Sequence, residues 1–150
     1  MNPSPITFVS LKFLRVHVES DFEATLIAEN FSFDGTMLAW SLNHGREGDG
    51  TWWVAVGFAT DGDADTNARC PYKINMQALG HFRIADKVDA DTAETIVFEN
   101  GAALVYGAIR DMVSTITSRS APGPLMLPTP TFVGAFAEHQ QKPSQMQVEQ

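Results

Sequence analysis

The chain reads as an α+β protein, a four-stranded antiparallel sheet followed by helices. Three observations lead there. Four runs of alternating apolar residues fill the first 84 positions, separated by polar or glycine-bearing turns. A long apolar stripe at helical spacing follows them, from Val105 to Ile116. After that stripe, Pro122, Pro124, Pro128 and Pro130 forbid further helix.

Ile6 to Glu19 forms the first strand. Val9, Leu11 and Phe13 alternate in one phase, then Leu14, Val16 and Val18 in the other. A phase flip moves side chains to the opposite face, so a bulge is expected at Phe13-Leu14. Asp21 to Asn30 is either a helical turn or an irregular crossover. The second strand begins after Asp34-Gly35 and runs to His44, with Leu38, Trp40 and Leu42 on one face. Gly45 to Gly50 is a hairpin loop whose three glycines can supply positive φ. Thr51 to Thr60 is the third strand, apolar or small on both faces and therefore central. A polar loop spans Asp61 to Cys70. Pro71 to Ile84 is the fourth strand, with Tyr72, Ile74 and Met76 on one face, and Gly80 hints at another bulge.

Asp91 and Glu94 have the spacing of a capping box that starts a short helix to about Glu99. Asn100-Gly101 breaks or kinks it before the long helix. There Val105, Ile109, Met112, Val113 and Ile116 share a stripe; Gly107, Arg110, Ser114 and Thr117 lie opposite. Arg119 sits where a cation offsets the helix dipole. The proline-rich run should be extended. Thr131 can cap a last helix carrying Phe132 and Phe136. The polar stretch from Gln140 is expected to be disordered, which leaves one domain, 1–140, and a tail, 141–150.

The chain has 150 residues, 44% hydrophobic, with net charge −8 and pI near 4.8. That length supports a single core. The acidity argues against nucleic acid and anionic membranes, which need basic surfaces. One cysteine, Cys70, allows no internal disulfide and suits a reducing, cytoplasmic setting. MNPSPITFVS lacks the features of a signal peptide, and no apolar run is long enough for membrane insertion.

Enzyme signatures are weak. Asp61, Asp63 and Asp65 alternate as in a calcium loop, but Thr66 stands where glycine is needed and Tyr72 where a bidentate glutamate is needed. A solvated loop is the plainer reading. Nothing pairs Cys70 with His17, His44 or His81, and the histidines lack metal-ligand spacing. No cofactor site and no catalysis are expected. The informative feature is excess aromatic surface. Two helices cover one sheet face better than the other, so Trp53 and the Phe31–Phe33 stretch are candidates for exposed apolar surface.

The order of parts in the helical third resembles the SecB family of protein-export chaperones. Arg110, Ser118-Arg119-Ser120, Leu125-x-Leu127-Pro128 and Phe132 carry the resemblance, and the mutual spacing of Arg110, Arg119 and Phe132 matches. Such a resemblance implies an ATP-independent holdase, a homotetramer built as a dimer of dimers, that keeps precursor proteins unfolded in apolar grooves and passes them to SecA. It implies a groove drawn from Phe31 or Phe33, Leu38, Trp40, Leu42, Tyr72, Leu125 and Leu127. It also implies SecA docking through Glu19 and Glu23. A third acidic docking position falls at Asn75, and of the tail residues only Lys142 and Glu149 are charged. Both departures fit a rival: a SecB-like chaperone dedicated to one partner, such as an antitoxin. A small-ligand-binding α+β domain is the alternative from a different class.

Overall fold

The computed structural model describes residues 2–34, 38–60 and 69–141. The proposed calcium-like loop, Asp61 to Thr66, and all but the first residue of the tail lie outside these residues. Four strands form one antiparallel sheet: β1 (Ile6–Ser20), β2 (Leu38–Arg46), β3 (Trp52–Thr60) and β4 (Tyr72–Ile84). Their order is β1-β4-β3-β2, so β1 and β2 are the free edges. Helix α1 (Ala90–Ile96), a wide π-turn (Val97–Gly101) and helix α2 (Ala102–Thr117) then run without interruption across one sheet face. An extended strap leads to α3 (Ala135–Gln141).

The core lies between this face and the helices. Val54, Val56 and Phe58 of β3 and Tyr72, Ile74, Met76 and Phe82 of β4 meet Val97, Val105, Ile109 and Val113, all buried. Each such side chain contributes roughly 1.5–3 kcal/mol of transfer free energy. Among the described residues the opposite sheet face carries no helix.

The expected bulge is present: the β1–β4 register shifts between Phe13 and Arg15, leaving Leu14 extra. A second shift sits between Phe8 and Ser10. Gly80 is not a bulge. It stands under α2, where a Cβ would come within 2.6 Å of the Val105 side chain. Gly101 does not break the helix but closes the π-turn that separates α1 from α2, at the boundary expected from Asn100-Gly101. Its φ is −61°, and a Cβ there would come within 2.9 Å of Val54. Both glycines serve close helix–sheet approach.

Other local expectations are corrected by competing partners. The helix cap is Asp89, which accepts from the Thr92 N–H at 2.9 Å; Glu94 instead accepts from, or pairs with, the His44 ring at 2.9 Å. In the β2–β3 hairpin only Gly50 has positive φ, 87°, while Gly45 lies in β2 beneath the Trp53 ring. Thr131 accepts from the Val133 N–H, but α3 starts only at Ala135, after the positive-φ Gly134. Thr117 belongs to the buried side of α2, not the polar side.

Candidate client-binding surface

Five hydrogen bonds between described residues hold the strap against the body of the protein. The Ala28 N–H donates to the Pro122 carbonyl at 2.9 Å. The Tyr72 hydroxyl donates to the Gly123 carbonyl at 2.5 Å. The Leu125 N–H donates to Thr117 at 2.9 Å. The Tyr106 hydroxyl donates to the Pro128 carbonyl, and Arg110 donates to the Thr129 hydroxyl at 2.5 Å. Prolines remove backbone donors from this run, so side chains of α2 and β4 supply the pairing that a strand ladder would give. The backbone alternates as expected of extended chain: Leu125 and Leu127 are buried, while Met126 between them is 65% exposed.

These bonds set the candidate groove residues apart from one another. Tyr72, Leu125 and Leu127 are core residues, at most 4% exposed, and pack behind the aromatic surface. Leu38 and Leu42 are half-buried against the core. Trp40 is the exposed member of that β2 face, at 42%. Its ring packs on Phe58 and Tyr106, with centroids 4.9 and 5.0 Å away. Phe33 packs on Phe58 and on Phe31, both half-buried, and Phe132 packs on Tyr106. The result is a continuous row of aromatic rings running from the crossover to the strap, beside the free edge of β2. Trp53 does not join it. Its register opposite Gly45 and His81 puts it on the helix-free sheet face.

Phe58, Tyr106 and Phe132 belong to the row although the groove expectation omitted them. Tyr106 follows Val105 directly and lies at the edge of the apolar stripe. Its position was legible only as a ring adjoining that stripe. Burial pushes the Tyr106 hydroxyl up to about 12, with Arg110 acting in the opposite sense.

A second apolar patch sits at the other edge. Phe8, Val16 and Leu104 are 43%, 47% and 45% exposed on the helix side of β1 and on α2. The expected docking acids are locally engaged. Glu19 pairs with His17 at 3.2 Å and with Lys73 at 3.9 Å, and Glu23 pairs with Arg69 at 3.3 Å. Arg69 also meets the buried Asp21 at 2.6 Å. Cys70 is buried, and burial pushes its thiol up to about 11, leaving it uncharged at neutral pH. Among the described residues no group of His, Cys, Asp and Glu could hold a metal ion. No described helix is long and apolar enough to cross a membrane.

No family model matches the chain, and no curated protein matches it in sequence. Among solved structures, a SecB-like chaperone of Mycobacterium tuberculosis, in complex with a ChAD peptide from the HigA1 antitoxin, aligns with a TM-score of 0.58. The fold is SecB-like. Identity to that chaperone is 13%, over 85% of this chain and 88% of that one. A protein of unknown function from Streptococcus agalactiae aligns with a TM-score of 0.49 and 12% identity, over 82% of this chain and 96% of that one.

Proposed function

We propose that this chain is a SecB-like chaperone that holds an extended, apolar polypeptide segment without nucleotide. The observation that carries the reading is the aromatic row beside a free strand edge, on a SecB-like fold. Rings supply broad apolar contact with little geometric demand, and the β2 edge offers unpaired backbone groups to an extended chain. Several weak patches acting together give avidity to a long client.

Between the two partner classes, dedication to a single partner is the better supported. The Mycobacterium tuberculosis neighbour is bound to an antitoxin peptide. Glu19 and Glu23, the expected SecA contacts, are paired with Lys73 and Arg69, and Asn75 accepts from Arg15 at 3.5 Å in place of a carboxylate. Delivery of many precursors to SecA for export is the second reading. The uncovered patch of Phe8, Val16 and Leu104 supports assembly with further copies, as in a dimer of dimers. Native mass measurement checks that against four times 16.4 kDa. A small-ligand pocket is less favoured, because the cavities of about 340 and 400 Å³ lie beside Arg46 and Arg83 and beside α3, and the hollow that touches Trp40 and Phe58 is only about 160 Å³.

The test is suppression of aggregation of unfolded model proteins without ATP. Wild type is expected to protect, and Trp40→Asp to lose most of that protection while keeping its Tm within a few degrees, since the site is already half open to water. Protection limited to one cognate partner identifies a dedicated chaperone; equal protection of unrelated proteins identifies the export type. Full activity in a folded Trp40→Asp variant overturns the assignment of the row.

A further inference from the structure

The helix-free face of the sheet carries charge of the wrong sign for the rest of the molecule. The strands contain five Lys and Arg residues, Lys12, Arg15, Arg46, Lys73 and Arg83, and one carboxylate, Glu19, in a chain whose net charge is −8. Register decides where they point. Lys12 pairs with Leu79, Arg15 with Gln77, Glu19 with Lys73 and Thr7 with Arg83. These positions alternate with Met76, Ala78 and Phe82, whose side chains are in the core, so four of the five cations stand on the helix-free face. Arg46 alone faces the helix side, over the Trp52 ring. The Leu14 bulge is what keeps Lys12 and Arg15 on one face despite their odd spacing.

Glu19 is the face's own acid, and it is shared between His17 and Lys73; Glu47 reaches His81 from the hairpin at 3.9 Å. Among the described residues Lys12, Arg15 and Arg83 make no ion pair within 4 Å; the hairpin's Asp49 acts on Arg83 from a greater distance, and Arg15 is turned to Asn75. Along β4 the cations extend from Arg83 to Lys73, about 33 Å at 3.3 Å per residue. Beside them the sheet surface is low. Ser41, Gly57, Ala59 and Gln77 line a depression of about 160 Å³ with Arg15 on its rim. Small side chains there let a partner's backbone approach the sheet closely.

We propose that this face docks an acidic polypeptide segment of about ten residues, separate from the client on the aromatic row. The complementarity is local: a basic stripe on an acidic protein repels the basic partners that an acidic docking face would recruit and attracts acidic ones. The proposal is independent of the holdase reading, because its cations stand on the sheet face opposite the rings of the row, although the depression also touches Trp40 and Phe58.

The experiment measures binding of a fluorescein-labelled alternating Glu/Ser peptide to the full chain, with an alternating Lys/Ser peptide and a single-stranded DNA oligonucleotide as comparisons. Saturable binding of the acidic peptide is expected. It should weaken roughly tenfold in Lys12→Glu/Arg15→Glu. It should weaken similarly when added salt shortens the screening length from about 10 to about 3 Å. Aggregation suppression should be unchanged in the same variant, which also shows that it folds. A folded charge-reversal variant with wild-type affinity overturns the proposal. So does preference for the Lys/Ser peptide, and so does tighter binding of the DNA than of the acidic peptide.

Discussion

The side-chain oxygen of Thr117 accepts the backbone N–H of Leu125 at 2.9 Å while donating its own proton to the Val113 carbonyl at 2.7 Å. Both partners are fully buried, so one hydroxyl ends a helix and begins the strap. Thr117→Val keeps the shape and leaves the Leu125 N–H without an acceptor. A loss of about 1–3 kcal/mol in denaturant unfolding is expected, with most of it recovered in Thr117→Ser.

Gly80 and Gly107 should respond in opposite senses to alanine. At Gly80 the new methyl would meet Val105 and Phe82 at 2.6 and 2.9 Å. Helix and sheet would have to separate, at a cost of about 1–3 kcal/mol. At Gly107 nothing lies within 4 Å of the new methyl. There a gain of about 0.5–1 kcal/mol is expected from the better helix former. Thermal unfolding of the two variants compares them directly.

Acid stability should depend on Asp21. Burial pushes its carboxyl up, but the hydrogen bond and charge of Arg69 and the Glu23 N–H prevail and hold it below the usual carboxylate range. A depressed folded value means that the stabilisation is present above about pH 4, where an unfolded Asp is ionised, and is lost as pH falls through the folded value. Asp21→Asn should lower stability at neutral pH and flatten the decline below pH 4 in a denaturant series. An unchanged acid profile in the variant would show that the Asp21–Arg69 pair has no part in it.

At the alkaline end, Tyr106 sets a second slope. Its folded value of about 12 lies above that of an exposed tyrosine, about 10. The unfolded chain therefore loses that proton first, and stability falls from about pH 10 to about pH 12. Tyr106→Phe should remove this part of the slope. It should also weaken the strap at neutral pH, through loss of the bond to the Pro128 carbonyl.

Several features could be seen in the residue order because they are local. The Phe13-Leu14 phase flip marked a true bulge, and the alternation of Leu38, Trp40 and Leu42 put them on one face. The Val105–Ile109–Val113 stripe is the buried side of α2. The helix ended at Thr117, short of the first proline, and the proline-rich run beyond it is an extended strap. Capping was less legible, since Asp89 and Asp91 both offer an acceptor, and the choice fell to Asp89 when Glu94 met His44 across the core edge. Gly80 was misread for the same reason: a glycine that admits a neighbouring element looks, in one dimension, like one that distorts its own.

The chain order alone therefore established four strands, a long helix, a proline-stiffened strap and the SecB-like arrangement of them. It did not establish which aromatic rings meet water. Period-two alternation divides a strand into two faces without saying which one a helix will cover, and β3 is apolar on both. Folding the helix onto the Trp52–Val54–Val56 side sealed Tyr72, Leu125 and Leu127 inside and left Trp40 half open at the edge. It also gathered four cations on the bare face. Burial and charge density are properties of what lies across from a residue, and a strand's own spacing carries no record of that.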